Sequence, residues 1–484
     1  MYNELKKELN KTHTENGAVA YSTTGSYVLD LFSSAGAMRS LDDNKIAYTF
    51  HRAVLEDRAL ALKTMFYTRD IRGGLGERNA FRVMLKTLAL NHPELVVKNL
   101  ENIATYGRYD DLLTLFYTKC EGEMAQLVKR VLNEDLQSET PSLLAKWLPS
   151  INASANRTRL DGKRMARLLG MNEKEYRQTL TTLRAKIRII ENNLREKDYT
   201  FDYDKQTAGS LFKYHLAFMR NDKARYDEFL RKVAEGKSTL KANNLFPYQV
   251  VRRCVNGADM NERKVLDATW NDMQKKIEVN ESAIAVIDTS GSMFWNVLSE
   301  GLRPIDVAVS LGLTFAQNNK GEFANSFITF SSTPSLVKVR GKDIYEKVQS
   351  VVEDCIVANT NVNAVFALIL KTALKYNIKQ EDMPSSIYLV SDMEFDSCVH
   401  NADFSNFENA KKMFEKNGYV LPKIVFWNVA SRHLSQPVTQ NEEGVVLISG
   451  ASVNPFKYDV EKPKTPYECM LDVLQSERYD LVCA

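Results

Sequence analysis

The chain of 484 residues reads as an all-α, repeat-like helical region over residues 1–276 followed by a doubly wound α/β domain over residues 277–484. Three observations predict this. A length near three times the roughly 150 residues of an average domain calls for more than one folding unit. Apolar residues recur at helical spacing up to about Trp270, and after Lys276 short β-branched runs alternate with helices. Charge divides at the same place: residues 1–280 hold 46 Lys and Arg against 36 Asp and Glu, a net of +10, and residues 281–484 hold 18 against 25, a net of −7. Such asymmetry points to two regions with different partners, the basic one suited to polyanions.

In the first region, Leu55, Ala59, Leu62 and Phe66 place one apolar stripe on a helix. Further helices are predicted over Glu77 to Leu90, Pro93 to Thr105, Asp110 to Tyr117, Glu123 to Leu136, Asp161 to Leu169, Glu173 to Leu194 and Lys223 to Ala234. Gly73, Gly74, Gly76, Pro93, Gly107, Pro141 and Gly170 separate them. Successive helices of this kind suggest a repeat array, although no motif fixes a period. In the second region, Ser282 to Ile287, Phe323 to Phe330, Ser386 to Val390, Lys423 to Val429 and Val445 to Ile448 read as strands. Helices are expected between them near Ile305 to Gln317, Asp343 to Val352, Val362 to Tyr376 and Asn406 to Asn417. Strand, helix, strand repetition implies a mostly parallel sheet covered on both faces.

Composition narrows the classes. Hydrophobic residues at 44% and charged residues at 26% match the globular norm of about 45–50% and about 25%, which excludes disorder as the default. No run approaches the roughly 18 apolar residues of a membrane span, and Glu4, Lys6, Lys7 and Glu8 stand where a signal peptide needs an apolar core. The expectation is an unexported protein of the cytoplasm, with no membrane partner. Six cysteines, Cys120, Cys254, Cys355, Cys398, Cys469 and Cys483, form no CxxC pair, so neither a disulfide framework nor a structural zinc site is visible.

The first strand of the second region runs into Asp288, Thr289, Ser290, Gly291, Ser292 and Met293. In open α/β sheets, residues just past a strand's carboxyl end line the ligand crevice. Asp288, Ser290 and Ser292 offer one carboxylate and two hydroxyls, the hard oxygens that a divalent cation such as Mg²⁺ takes while keeping room for waters. A nucleophile elbow is excluded, since Asp288 and Ser292 stand where its glycines belong. An aspartic protease would need a second catalytic carboxylate motif. The short polar residues could also simply cap the adjoining turn.

This run resembles the first part of the metal ion-dependent adhesion site of von Willebrand factor A domains, Asp-x-Ser-x-Ser. That family adds a Thr from a later loop and an Asp from the end of a middle strand, matched here by Thr360 and Asp392. The resemblance implies a Mg²⁺ or other divalent site of Asp288, Ser290, Ser292, Thr360 and Asp392, the hydroxyls coordinating directly and the carboxylates partly through water. A partner protein would supply an acidic ligand. The segments Thr68 to Arg78, Tyr106 to Leu113, Leu143 to Ser150, Leu169 to Glu191 and Ser391 to Asp396 resemble a family of cellular and viral genomes that joins a TROVE-like helical region, of HEAT-repeat type, to a von Willebrand A domain. The two-part plan is similar to that of Ro proteins, whose helical ring binds small noncoding RNAs outside and single-stranded RNA ends in its hole. Small noncoding or single-stranded RNA is the partner this implies.

Two basic stretches supply candidate RNA contacts. Arg157, Arg159, Lys163, Arg164, Arg167, Lys174, Arg177, Arg184, Lys186 and Arg188 face only Asp161, Glu173 and Glu175 over that span, a local net of +7. Arg177, Arg184 and Arg188 fall near whole helical turns, and phosphates attract such patches regardless of sequence. Arg69, Arg72 and Arg78 flank Gly73, Gly74 and Gly76. A glycine loop opening a helix can hold a phosphate on its N–H groups, though Glu77 stands where a P-loop lysine belongs. The same run suits a bend built on a buried Arg and Asp pair. Asp110 and Asp111 read as helix caps. Tyr106, Tyr109, Tyr203 and Tyr214 are candidate stacking rings.

No nucleophile, base and orienter occur in recognisable spacing, so an enzyme is not indicated. Phosphoryl hydrolysis at the metal lacks a positioned base or second metal. The function expected is Ro-like RNA binding with a Mg²⁺-dependent contact. The alternative is a protein scaffold that captures acidic side chains through the metal without RNA.

Overall fold

A computed structural model describes the chain except for residues 2–4, 6–7, 188, 239, 241, 243–244, 276, 278–281, 296–297, 299–300, 320–322, 331–332, 355–360, 398–404 and 458–463. Helices dominate up to Met260–Gln274, and a six-stranded sheet comes after them. A short antiparallel hairpin, β1 (Lys11–His13) and β2 (Val19–Tyr21), precedes the first long helix. The large sheet comprises β3 (Ala283–Asp288), β4 (Ser326–Phe330), β5 (Ser335–Lys338), β6 (Ser386–Ser391), β7 (Lys423–Asn428) and β8 (Val445–Ser449). Their spatial order is β5-β4-β3-β6-β7-β8, parallel throughout except that β5 runs antiparallel to β4. The order places β3 and β6, the strands carrying Asp288 and leading to Asp392, side by side at the centre.

Side chains alternate across each strand, so one sheet feeds two cores. Ala283, Ala285 and Ile287 face a core that includes helices Pro304–Asn318 and Met260–Gln274. Ile284 and Val286 face another with helices Val362–Tyr376 and Asn406–Lys416. The five predicted strands and four helices of this region are all present, as both-face coverage requires. The edge strand β5 was not visible in sequence: three of its four residues are exposed, so it lacks the apolar run of its neighbours.

The helical region divides where the sequence runs on. Residues from Val28 to Ile187 share a core with Met470, Leu474 and Tyr479 from the chain's end. Residues from Ile190 to Met273 instead share a core with one face of the sheet. The helix expected over Glu173 to Leu194 is interrupted at the same point. It stops at Lys186, Ile187 turns extended with φ −71° and ψ 112°, and a second helix starts at Ile190. The Asn192 side-chain amide donates to the carbonyls of Arg184 and Ile187, 2.9 and 3.1 Å away, satisfying groups the broken helix frees. Periodicity alone does not register such a break, because apolar spacing continues through it.

Close approach fastens the two regions. Gly36 donates its N–H to Ser449 Oγ at 3.0 Å, and a Cβ there would lie 2.6 Å from the Ser449 carbonyl oxygen. Because that oxygen belongs to backbone at the end of β8, it cannot swing aside. Gly36→Ala is expected to destabilise the protein by about 1–3 kcal/mol, the usual cost of overpacking, read as a lower midpoint in urea with an unchanged slope.

Candidate metal centre and arginine cavity

Asp288 ends β3 fully buried, and Ser290 and Asp392 are likewise buried. Asp288 Oδ1 accepts the Ser290 N–H at 2.8 Å and Oδ2 accepts the Ser391 hydroxyl at 2.6 Å. The Ser290 and Ser292 hydroxyls lie 3.1 Å apart. Asp392, just past β6, accepts the Glu394 N–H at 3.2 Å and Arg432 at 3.0 Å. Burial first, and the charge of Asp392 second, raise the Asp288 carboxyl well above the ordinary carboxylate range. Two buried carboxylates that repel each other, with two hydroxyls alongside, fit a hard divalent cation by their chemistry. Four of the five sequence-predicted ligands, Asp288, Ser290, Ser292 and Asp392, therefore gather at one end of the sheet; Thr360 lies outside the described residues.

Sequence reasoning missed the surroundings. Arg432 pairs with both Asp392 and Glu15, joining the Asp288 and Asp392 end of the sheet to the turn of the β1–β2 hairpin. Glu15, buried Glu394 and His433 bring their ligating atoms within 4.8 Å of one another. No local pattern announces these contacts, since Glu15 lies 379 residues from Glu394.

The glycine loop does not cradle a phosphate on its backbone. The N–H groups of Gly74, Leu75, Gly76 and Glu77 bond to the carbonyls of Asp70, Tyr67, Asp70 and Thr68. The Gly74 carbonyl accepts from Ser452 at 2.9 Å and Asn454 at 2.8 Å, and Asp70 pairs with Arg478. The loop is a joint between the helical region and the segments after β8. Arg69 is buried at 4% exposure with its Nε 2.8 Å from Asp111, so it is not a surface phosphate ligand.

Arg72 and Arg78 remain exposed, and they line a cavity of about 970 Å³. Its wall also carries Arg39, Arg82, Arg108, Tyr109, Trp147, Phe246 and Tyr248. Arg108 lies 4.1 Å from the Trp147 ring centroid, and the Phe246 and Tyr248 rings stack at 5.6 Å with 14° between planes. Asp111, fully buried, accepts Arg69, Arg82 and the Arg108 N–H at 2.8, 2.7 and 3.0 Å. Asp110 accepts Arg82 at 2.8 Å and Arg108 at 2.7 Å. Burial opposes it, but these guanidiniums hold the Asp110 carboxyl below its ordinary range. The expected capping role is present at Asp111 and extends to a buried ion cluster.

The other basic stretch is dispersed. Arg184 turns inward, donating to the carbonyls of Ala145 and Leu148 and to Ser150 at 2.7–2.8 Å. Arg164 pairs with Glu121 and stacks 3.7 Å from the Tyr117 ring centroid. Arg157 and Lys163 pair with Asp161 and Glu173, and Arg159 bonds Asn156. Arg167 and Arg177 stay on the surface, in a stretch away from the cavity wall; Arg188 lies outside the described residues. The single cationic helix face is thus not formed, because one of its three arginines satisfies buried carbonyls instead. Tyr203 is a core ring and Tyr214 bonds Glu191 at 3.3 Å, while Tyr109 and the largely buried Tyr106 border the cavity.

A family model described as a domain of unknown function (DUF2828) matches residues 14–140 and 163–283, just over half of the chain. A second, described as a domain of unknown function (DUF7788), matches residues 282–474. The chain is 27% identical over 514 residues to Uncharacterized protein L728 of Acanthamoeba polyphaga mimivirus, covering 96% of this chain and 87% of that protein. Among solved structures it resembles the RO (RSR) protein of Deinococcus radiodurans, with a TM-score of 0.51, 12% identity, and coverage of 94% of this chain and 100% of that chain. At that identity the likeness shows a shared two-part fold.

Asp288 has a folded value above its unfolded one, so between the two the native state binds more protons and stability falls as pH rises. Asp288→Asn is therefore expected to melt higher than the wild type in metal-free buffer above neutrality, with the difference vanishing in acid. A divalent cation held by this cluster, at a hundredfold excess over its dissociation constant, would stabilise the wild type by about 2.7 kcal/mol and the variant less. Calorimetric melts with and without Mg²⁺ check both.

Proposed function

We propose, from the premise that this chain belongs to the DUF2828 family, that it is an RNA-binding protein of Ro-like plan which holds single-stranded or small noncoding RNA in the arginine cavity. The observation that carries this reading is the cavity wall, where exposed Arg72 and Arg78 stand among Tyr109, Trp147, Phe246 and Tyr248. Phosphates pair with the cations, and unpaired bases stack on rings without sequence preference. The interface moves from the 157–188 stretch to this cavity, because most of the former's cations already have protein partners.

The second part of the proposal is a divalent cation, Mg²⁺ by donor chemistry, held by Asp288, Ser290, Ser292 and Asp392 with Thr360 as a further ligand. When bound, the cation offers an open position to an anionic oxygen. The chain's own residues do the rest: Ser391 and the Ser290 N–H orient Asp288, and Arg432 and the Glu394 N–H orient Asp392. The action is adhesion rather than catalysis. A scaffold reading, with an acidic protein partner on the metal and no RNA, is favoured by Trp295, 80% exposed on the short helix just after Ser290, since exposed Trp anchors protein interfaces.

Filter binding of single-stranded RNA across a salt series separates the two. The RNA reading predicts affinity that falls with salt, a slope shallower by about 0.7 for each phosphate contact removed in Arg72→Glu or Arg78→Glu, and a loss of about 1–3 kcal/mol in Trp147→Ala. Arg167→Glu and Arg177→Glu should matter less. No binding at low salt overturns the RNA reading and leaves the scaffold.

A further inference from the structure

We infer that the cavity receives a terminal phosphate monoester at the end of a single-stranded RNA, with Arg78 as the residue that takes it. This rests on the reading that RNA occupies the cavity. The grounds are charge and preformed geometry.

Arg69, Arg82 and Arg108 share Asp110 and Asp111 through short ion pairs. Arg78 lines the same cavity wall as these three. Among the described residues Arg78 makes no ion pair. Within this cluster, four guanidiniums against Asp110 and Asp111 leave an excess of two positive charges, while neighbouring Arg39 is matched by Glu77 and Asp70 by Arg478. An internal phosphodiester carries a single negative charge, whereas a phosphate monoester carries about −1.5 to −2 near neutrality and offers three acceptor oxygens. One monoester matches the cluster's excess at a single point, where one diester leaves a charge over, and guanidinium forks bind such oxygens in pairs.

The cluster is also held in place before any ligand arrives. Asp111 is fully buried, and Gly107 packs so closely that a Cβ would lie 2.6 Å from Asp111 Oδ2 and 3.1 Å from Arg69 Cγ. Cations fixed by buried carboxylates do not have to be gathered when the anion binds, which removes an ordering cost. Next to them, Trp147 with Arg108 across its face gives the terminal base a stacking platform, and Arg72 at the cavity wall meets the following phosphate.

A nucleoside monophosphate carries the same group, so the test has arms for both sources. The full chain is titrated by fluorescence anisotropy with one short RNA bearing an internal dye and ending in a 5′-monophosphate, a 3′-monophosphate or hydroxyls only. Nucleoside monophosphate binding is measured directly by calorimetry. The expected result is that one phosphorylated end binds at least about tenfold more tightly than the hydroxyl form, a difference of about 1.4 kcal/mol. The preference should disappear in Arg78→Ala, return in part in Arg78→Lys and survive in Arg177→Ala, with circular dichroism unchanged. Equal affinity of all three ends for the wild type overturns the inference while leaving RNA binding intact. If no RNA binds but the mononucleotide does, in the wild type and not in Arg78→Ala, the monoester site stands and the RNA reading falls. If neither binds, both fall.

Discussion

The carboxylate of Asp111 is the point on which the helical half is built. Fully buried, it accepts from Arg69 at the end of one helix, from Arg82 on the next and from the backbone N–H of Arg108 at the start of the following turn. One anion thereby fixes three segments and lets several guanidiniums stand close together. Without it the guanidiniums would repel, and buried Arg69 would lose its ion-pair partner; breaking a buried pair in this way costs on the order of 3–5 kcal/mol. Such a cluster is weak evidence for stability in itself. Its consequence is positional, since the cations it gathers face a cavity rather than bulk solvent.

The glycine loop next to that cluster ties the cavity to the sheet. Its N–H groups close the preceding helix, its carbonyls take Ser452 and Asn454, and Asp70 takes Arg478 from the chain's end. Ser449, which caps β8, meets Gly36 of the helical half. The carboxyl ends of the central strands carry the candidate metal ligands, and the segment after the outermost parallel strand carries the joint. Both features therefore sit on the same end of one rigid sheet, as open α/β folds place their ligand sites.

Much of this was legible in the residue order. Parallel strands buried on both faces produce unmistakable apolar runs, so β3, β6, β7 and β8 could be read directly, and the polar run after β3 marked the end of the sheet where Asp288 and Asp392 meet. What escaped is non-local. Exposed β5 has no apolar signature, and Arg184 looks like a surface cation until the carbonyls of Ala145 and Leu148 are beside it. Arg69 shows the same ambiguity resolved the other way: the pattern allowed either a phosphate loop or a buried ion pair, and the pair to Asp111 spans 42 residues. Trp147, Phe246 and Tyr248 carry no motif; only folding brings them to one wall with Arg72 and Arg78.

The most direct measurement is photo-crosslinking of single-stranded RNA containing 4-thiouridine to the full chain, followed by mass-spectrometric identification of the linked peptides. RNA held in the arginine cavity gives adducts on the peptides carrying Tyr109, Trp147 and Phe246 to Tyr248, competed away by unlabelled RNA. Adducts confined to the Asn156–Lys186 stretch, with none from the cavity wall, would contradict it.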